Sequence, residues 1–536
     1  MAERPQAESL VERRLSRRFQ VSLVVEGLAV GLVAGGVVTL FRLALSHAEG
    51  LLRLLTGWAV GNASLMLAWA CVLVALLALV SWLMRWEPAT VGSGIPQVEA
   101  EVAGHVDQPW HRVLLAKFVE GTAVTFAGLS MGREGPSVQL GAMAGKAVSR
   151  ALRRGRGEER LLVTCGAAAG MSAAFHAPLT GILFAVEEIH RAFTAPLIIS
   201  VMCSSVAADF LVSQALGVEP VLSLAFAADI PHPSYALVVG LGVVAGVLGA
   251  LHNRGMFLAQ RLLGRLPAGM ARLAVPFALA GVAAFAWPVL MCGGDAVMEE
   301  VLAAQPPALG VLLALLAGKY VFTALCFGSG APGGTLFPLV ALGSLVGAAY
   351  VTVCGQVFGV SADLYPNFVA LGIAGLFSAA IQAPVTAVVL VFELTSSLDA
   401  LLSAAIVSIV AYVTAGLLRT DAFYEHLLEA VLGTPGTARS ASAGEGKTLL
   451  TFVVGSQSRA DGARVMELAW PERARVVTVR RGTTELIPTG ATRLRAHDEL
   501  VVIADESCLE DVSRGVGVLC HAGIGLSDGP GSRPGR

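Results

Sequence analysis

The sequence predicts an all-α polytopic membrane protein built as a repeat with broken helices, carrying a small α+β domain at its C-terminus. Three observations predict this. Charged residues make up 14% of the chain and hydrophobic residues 55%, with 60 glycines that allow close helix packing. Motifs of the first half recur in the second, about 200 residues on. The last stretch, residues 448–516, returns to the composition of a soluble domain. A net charge of −2 gives no basic surface for nucleic acid. The eight scattered cysteines contain no CxxC and no disulfide framework, so neither a structural metal nor a stapled secreted fold is expected.

Residues 1–18 mix Arg4, Arg13, Arg14 and Arg17 with Glu3, Glu8 and Glu12, and no signal-peptide pattern follows. They read as a cytoplasmic amphipathic helix or, alternatively, a disordered basic tail. Residues 21–45 form the first long apolar helix, interrupted by Gly31, Gly35 and Gly36, and residues 65–83 the second. Gly92-Ser93-Gly94-Ile95-Pro96 then breaks the pattern ahead of a short helix. Ser93 stands in an N-cap-like place, either as a plain cap or with its hydroxyl free to donate to an anion.

Residues 113–129 lead into a second break, Gly132-Arg133-Glu134-Gly135-Pro136. A carboxylate inside a membrane costs about 2.5–3.5 kcal/mol on insertion scales and marks a functional site by default. Pro136 suits a first helical turn, which places Glu134 at a positive helix N-terminus where an anion is also favoured. Two readings fit: a carboxylate competing with a transported anion, or a Gly-rich loop with a snorkelling Arg133–Glu134 pair. Helices follow over 138–152, 161–175, 177–191 and 196–216, then an exposed loop over 217–233. The arginines of 150–160 mark a cytoplasmic loop. Apolar runs resume over 234–260, 272–291 and 306–327, and a third break spans Gly328 to Pro338. The last membrane helices are expected over 339–354, 366–380, 383–396 and 400–418, with a terminal helix over 420–432 carrying Tyr424.

The repeat runs at two offsets. At 202, Lys117 meets Lys319, Gly132 meets Gly334 and Pro136 meets Pro338. At 206, Pro178 meets Pro384, Thr180 meets Thr386 and Glu187 meets Glu393. Paired broken helices point to a secondary transporter or related channel, with its substrate near the midplane where the half-helix ends converge. Glu134 aligns with Leu336, so only one half carries the titratable group.

The four elements Gly92–Pro96, Gly132–Pro136, Gly334–Pro338 and a tyrosine on the last helix, in that order, resemble the CLC family of chloride channels and chloride/proton antiporters. The likeness covers residues 19–432. It implies an inverted-repeat fold, with repeats of about 19–216 and 234–432, in a homodimer with one pore per subunit. The family pattern assigns chloride contacts to Ser93, Tyr424, Gly135 and the backbone amides of Thr335 and Leu336. It makes Glu134 the gating glutamate and Glu188 the internal proton-transfer glutamate found in the antiporters. An acid at Glu188 argues for exchange over a passive voltage- or pH-gated channel; the plain alternative is an acid paired with Arg191. A serine at position 93 resembles the chloride type, where nitrate-preferring relatives have proline and fluoride exporters methionine.

Two departures stand out. Leu336 occupies a place where the family usually has phenylalanine, and Glu120 a place where it has a small residue. Glu120 is expected to pair with Lys117 one turn earlier, or else to contribute to a proton path. His176 reads as a helix-cap side chain.

After a linker over 433–447, residues 448–516 read as four strands (449–454, 474–480, 485–488, 499–504) with helices near 463–469 and 508–514. Arg480-Arg481-Gly482, Ile487-Pro488-Thr489-Gly490 and His497-Asp498-Glu499-Leu500 resemble the RCK-C (TrkA-C) domain. That resemblance implies dimerisation, and either a small bound ligand or a purely structural role. Residues 517–536 are expected to be a flexible tail. No metal or organic cofactor is called for, and an intramembrane enzyme lacks a nucleophile–base pair. The implied partners are chloride, protons and the lipid bilayer. The implied location is the bacterial inner membrane with both termini in the cytoplasm.

Overall fold

The computed structural model describes residues 4–520 apart from 192–194, 218–225, 227–229, 304, 433–446, 456–457, 472–473, 482–483, 497 and 506–507. The expected linker, most of the 217–233 loop, His497 and residues 521–536 lie outside the described residues. The chain divides into two compact units, Met1–Leu432 and Gly433–Arg536.

The first half of the larger unit comprises α1 (Arg4–Ala59), α2 (Ala63–Trp86), α3 (Ile95–Ala103), α4 (Trp110–Phe126), α5 (Glu134–Ala151), α6 (Arg156–Phe175), α7 (Pro178–Phe184) and α8 (Ala195–Leu216). The second repeats it as α9 (Tyr235–Leu263), α10 (Met270–Ala286), α11 (Asp295–Val301), α12 (Leu309–Gly328), α13 (Leu336–Phe358), α14 (Tyr365–Ile381), α15 (Pro384–Thr395) and α16 (Ala400–Leu417). One further helix, α17 (Phe423–Val431), closes the unit. Among the described residues, eight helices are long and apolar enough to cross a bilayer, so this is an integral membrane protein with multiple spans.

Local chemistry sets the element ends. The side chain of Asn62 caps α2 by accepting from the N–H groups of Ser64 and Leu65. Gly94, at φ 97°, turns the chain into α3 through the left-handed region that glycine tolerates. His176 and Gln382, 206 apart in sequence, close α6 and α14 in the same left-handed conformation. The His176 ring also lies 2.9 Å from Asp209.

Reciprocal contacts relate the halves. Glu393 of α15 accepts from the N–H groups of Leu179 and Thr180 at 2.7 Å each, and from the Thr180 hydroxyl at 2.6 Å. Glu187, just after α7, accepts from the Thr386 N–H at 2.9 Å and its hydroxyl at 2.6 Å. Each half thus caps the other's helix N-terminus with a carboxylate, where the helix dipole favours negative charge. Such an exchange, i to j′ and j to i′, is what a two-fold axis produces.

The structure corrects three membrane-unit expectations. The first helix starts well before residue 19 and continues to Ala59 as one rod, instead of a separate 1–18 segment and a 21–45 span. Its glycines do not interrupt it. A Cβ at Gly27, Gly31 or Gly35 would strike α8 at Ser200, Ser204 or Ala208, so they form a close helix crossing. The apolar run of 272–291 is broken: α10 ends at Ala286, and residues 287–294 form a fourth loop ahead of the short α11. Met291 and Cys292 kept that break apolar and hid it from a hydropathy reading. Finally, the expected helix of 177–191 ends at Phe184 and continues as a π turn over Ala185–His190.

The smaller unit is a four-stranded antiparallel sheet in the order β1-β4-β2-β3: β1 (Lys447–Val453), β2 (Ala474–Arg481), β3 (Thr484–Leu486) and β4 (Glu499–Asp505). A bulge between Val476 and Thr478 shifts the β2–β4 register. Helix α18 (Leu509–Cys520) adds Val512, Val516 and Cys520 to a core with Val479, Leu500 and Val502. Residues 517–520 therefore belong to this helix and not to a flexible tail. The helix expected over 463–469 is only a single tight turn, Val465–Glu467. The N–H groups of Val465 and Met466 donate to Thr492 and Gly490 instead of up a helix.

Candidate anion site and proton path

Three helix N-termini meet at the centre of the larger unit. The loop before α5 and the loop before α13 pair antiparallel: the Gly132 N–H donates to the Gly334 carbonyl at 2.7 Å, and the Gly334 N–H to Gly132 at 2.8 Å. The loop before α3 joins them, with Gly92 donating to Gly330 and accepting from Gly333, both at 3.1 Å. Glycine is required at this junction. A Cβ on Gly132 or Gly334 would collide with the Glu134 carboxylate, and one on Gly135 would lie 2.6 Å from the Ser93 hydroxyl.

Glu134 is fully buried, and neither carboxylate oxygen meets hydrogen-bond geometry with any group. The N–H groups of Leu336 and Phe337, in the first turn of α13, face it. The snorkelling pair with Arg133 is not formed. That guanidinium sits 4.6 Å over the Phe337 ring and 3.5 Å from Asp295. With Glu49, Arg53 and Cys292, these residues line a cavity of about 370 Å³.

The Ser93, Thr335 and Tyr424 hydroxyls are likewise buried without a hydrogen-bond partner. The Tyr424 hydroxyl is turned toward the other two. Buried polar atoms are almost always paired. A cluster of donors left open beside three helix N-termini is suited to a dehydrated anion. The sequence-predicted Ser93, Glu134, Gly135, Thr335, Leu336 and Tyr424 are thus brought to one place.

Glu188 lies apart from that cluster, on the π turn Ala185–His190, an irregularity frequent at functional sites. The Phe184 ring, just before this turn, packs edge-on against Tyr424 with centroids 6.2 Å apart. Glu188 is buried, and its Oε1 is 3.7 Å from the Arg191 guanidinium without a hydrogen bond. Arg191 lies closer to Glu99, at 3.4 Å. The sequence reading missed Glu99, a second buried acid on α3. Its signal was present, a glutamate between Val98 and Ala100 in a helix starting at the Ser93 loop.

The expected Lys117–Glu120 pair makes no direct contact, although each group lies within reach of the other's charge. The Lys117 ammonium donates to the carbonyls of Thr90 and Gly92, at 2.8 and 2.7 Å, while Glu120 accepts from the Thr90 hydroxyl at 3.0 Å. Lys319 does the same in the second half, donating to Leu290 and Cys292 at 3.1 and 2.7 Å. Elsewhere, Glu101, Asp107 and Glu159 come together in a metal-like cluster. The Lys146 ammonium bonds Glu101 and Asp107, and Arg150 bonds Glu159, so the acids already hold cations.

Comparison with known proteins matches residues 75–416 to the voltage-gated chloride channel family and residues 449–514 to the TrkA-C domain family. The chain is 31% identical over 445 residues to the H(+)/Cl(-) exchange transporter ClcA of Yersinia pseudotuberculosis, covering 80% of this chain and 92% of that protein. It is 34% identical over 426 residues to ClcA of Vibrio cholerae, covering 77% and 90%. Among solved structures it matches a slow cyanobacterial Cl−/H+ antiporter with a TM-score of 0.73 and 29% identity, over 77% of this chain and 98% of that one. A CLC-type fluoride/proton antiporter, at 23% identity and a TM-score of 0.61, shares the fold.

Proposed function

Since this chain belongs to the CLC family of anion-transporting membrane proteins, we propose that it exchanges chloride for protons. The observation that carries the reading is the Glu134 carboxylate, fully buried among three helix N-termini and faced by the Leu336 and Phe337 N–H groups. That is where an anion gains most. Deprotonated, Glu134 occupies the anion path. A proton from outside neutralises it, the side chain leaves its glycine cradle, and chloride takes the place. Ser93, Tyr424 and the N–H groups of Gly135, Thr335 and Leu336 bind that chloride. Glu188 exchanges the proton with the cytoplasm; its loose contact with Arg191 supports this role over a structural ion pair. The exchangers named above support coupled transport. The protein is read as a homodimer of the bacterial inner membrane with both termini in the cytoplasm. Its C-terminal domain is read as dimerising, either with a small bound ligand or in a purely structural role.

The test is flux in reconstituted liposomes under a chloride gradient, with external pH recorded beside chloride. Wild type is expected to drive protons uphill. Glu134→Gln and Glu188→Gln are each expected to abolish proton movement while chloride still flows. Chloride flux in wild type with no proton movement would make the protein a passive channel and return Glu188 to a structural part.

A further inference from the structure

The two lysines at the repeat-related loops have different surroundings. Lys117 and Lys319 are both fully buried, and each holds two carbonyls of the loop ahead of a short helix. Lys117 holds the loop that carries Ser93, through Gly92, the residue immediately before it. When protonated, the amine held there projects positive charge onto the anion site, little screened in a buried setting.

Asp295 and Glu49 act on Lys319 from other elements, but only the first half places an acid on the lysine's own helix, one turn on. At the offset of 202, Glu120 aligns with Phe322, and at the 200-residue spacing of these loops Thr90 aligns with Leu290. Glu120 is fully buried on α4, one turn from Lys117. Both side chains grip one residue: Lys117 the carbonyl of Thr90 and Glu120 its hydroxyl. The second Glu120 oxygen has no hydrogen-bond partner. A buried acid next to a buried ammonium, with only one hydroxyl contact of its own, is held chiefly by that charge.

We propose that Glu120 is a positioning residue that sets chloride affinity, by offsetting the charge Lys117 presents behind the Ser93 loop. This rests on the reading of Ser93 as a chloride contact. Glu120 touches neither chloride nor Glu134. Its effect is to keep the anion site from binding too tightly to release its cargo, a requirement of any transport cycle.

The experiment is chloride titration of the purified full-length protein by isothermal calorimetry, using potassium chloride against an impermeant-anion salt, with liposome flux in parallel. Glu120→Gln keeps the shape and the Thr90 contact but removes the charge. It is expected to bind chloride five- to tenfold more tightly and to lower the flux KM without raising kcat. Glu120→Asp retains the charge and is expected to stay within twofold of wild type. Glu120→Ala, the substitute should the Gln variant misfold, is expected to tighten binding as well. A merely structural role loosens the loop and weakens binding in every variant. Weakened or unchanged affinity in the charge-free variants overturns the proposal. A wild type that binds no chloride overturns instead the assignment of the anion site, a distinguishable result.

Discussion

The Tyr424 hydroxyl faces those of Ser93 and Thr335 without meeting hydrogen-bond geometry with either. It is fully buried and has no hydrogen-bond partner. Removing an unpaired buried hydroxyl is close to neutral for folding, whereas a hydrogen bond to a charged group contributes about 1.5–3 kcal/mol. Tyr424→Phe is therefore expected to leave thermal stability unchanged or slightly raised, while chloride affinity falls about tenfold or more. Calorimetric titration beside a melting curve separates the two. A variant that loses stability and keeps its affinity would remove Tyr424 from the anion site. Glycine at the junction has the opposite character. Gly334→Ala drives a methyl into the Glu134 carboxylate and the Gly135 backbone, which forces the side chain out of its cradle and strains the loop. Loss of folded protein or of flux is expected, read by size-exclusion chromatography and liposome transport.

At the scale of elements, the exchange of caps between halves makes a symmetric prediction. Glu393 caps α7 and Glu187 caps α15 through matching contacts to Thr180 and Thr386. Replacing either carboxylate by glutamine removes the charge from bonds of the charge-assisted kind. Each variant is expected to lose about 1–2 kcal/mol, seen as similar drops in melting temperature. A large loss in one and none in the other would mean that the halves do not share this load. The symmetry also explains what could be read in the sequence. Breaks at 92–96, 132–136 and 328–338 were legible because glycine and proline mark them within a few residues. The fourth, at 287–294, carries Pro288, Gly293 and Gly294 too, but Val289 to Cys292 keep it apolar, so the hydropathy run read through it. Ser93, Glu134 and Tyr424 were found by motif order. Glu99 and the carbonyl bonds of Lys117 were missed because their partners lie 25 to 92 residues away. In the tail, the pattern over 463–469 suited a helix, but pairing with residues 490–492 claimed the same N–H groups.

At the scale of the whole molecule, each unit has its own hydrophobic core: the larger has a main cluster from α1–α7 and α9–α17, with smaller ones where α8 meets α1 and α6, and the smaller unit has one from the sheet and α18. They should accordingly respond to different insults. In the smaller unit, burial pushes the Asp498 carboxyl up, but hydrogen bonds from Arg481 and the Arg495 N–H, with both arginine charges, outweigh it and hold it below the usual carboxylate range. A carboxylate depressed on folding contributes stability that is present above its unfolded value, about pH 4, and is lost as pH falls through its lower folded value. Hydrogen exchange along β2 and β4 of the full-length protein is expected to quicken below about pH 4. Asp498→Asn is expected to show that fast exchange already at neutral pH. Deleting residues 433–536 makes the complementary cut. None of the residues placed at the anion site or on the proton path lies beyond Tyr424, so the shortened chain is expected to keep its chloride flux and its proton coupling within about twofold of wild type. Flux that survives in one buffer but loses its response to an added small molecule would make the tail a sensor acting on transport. Flux that collapses under every condition, in protein that remains folded, would show that the membrane unit cannot cycle without it.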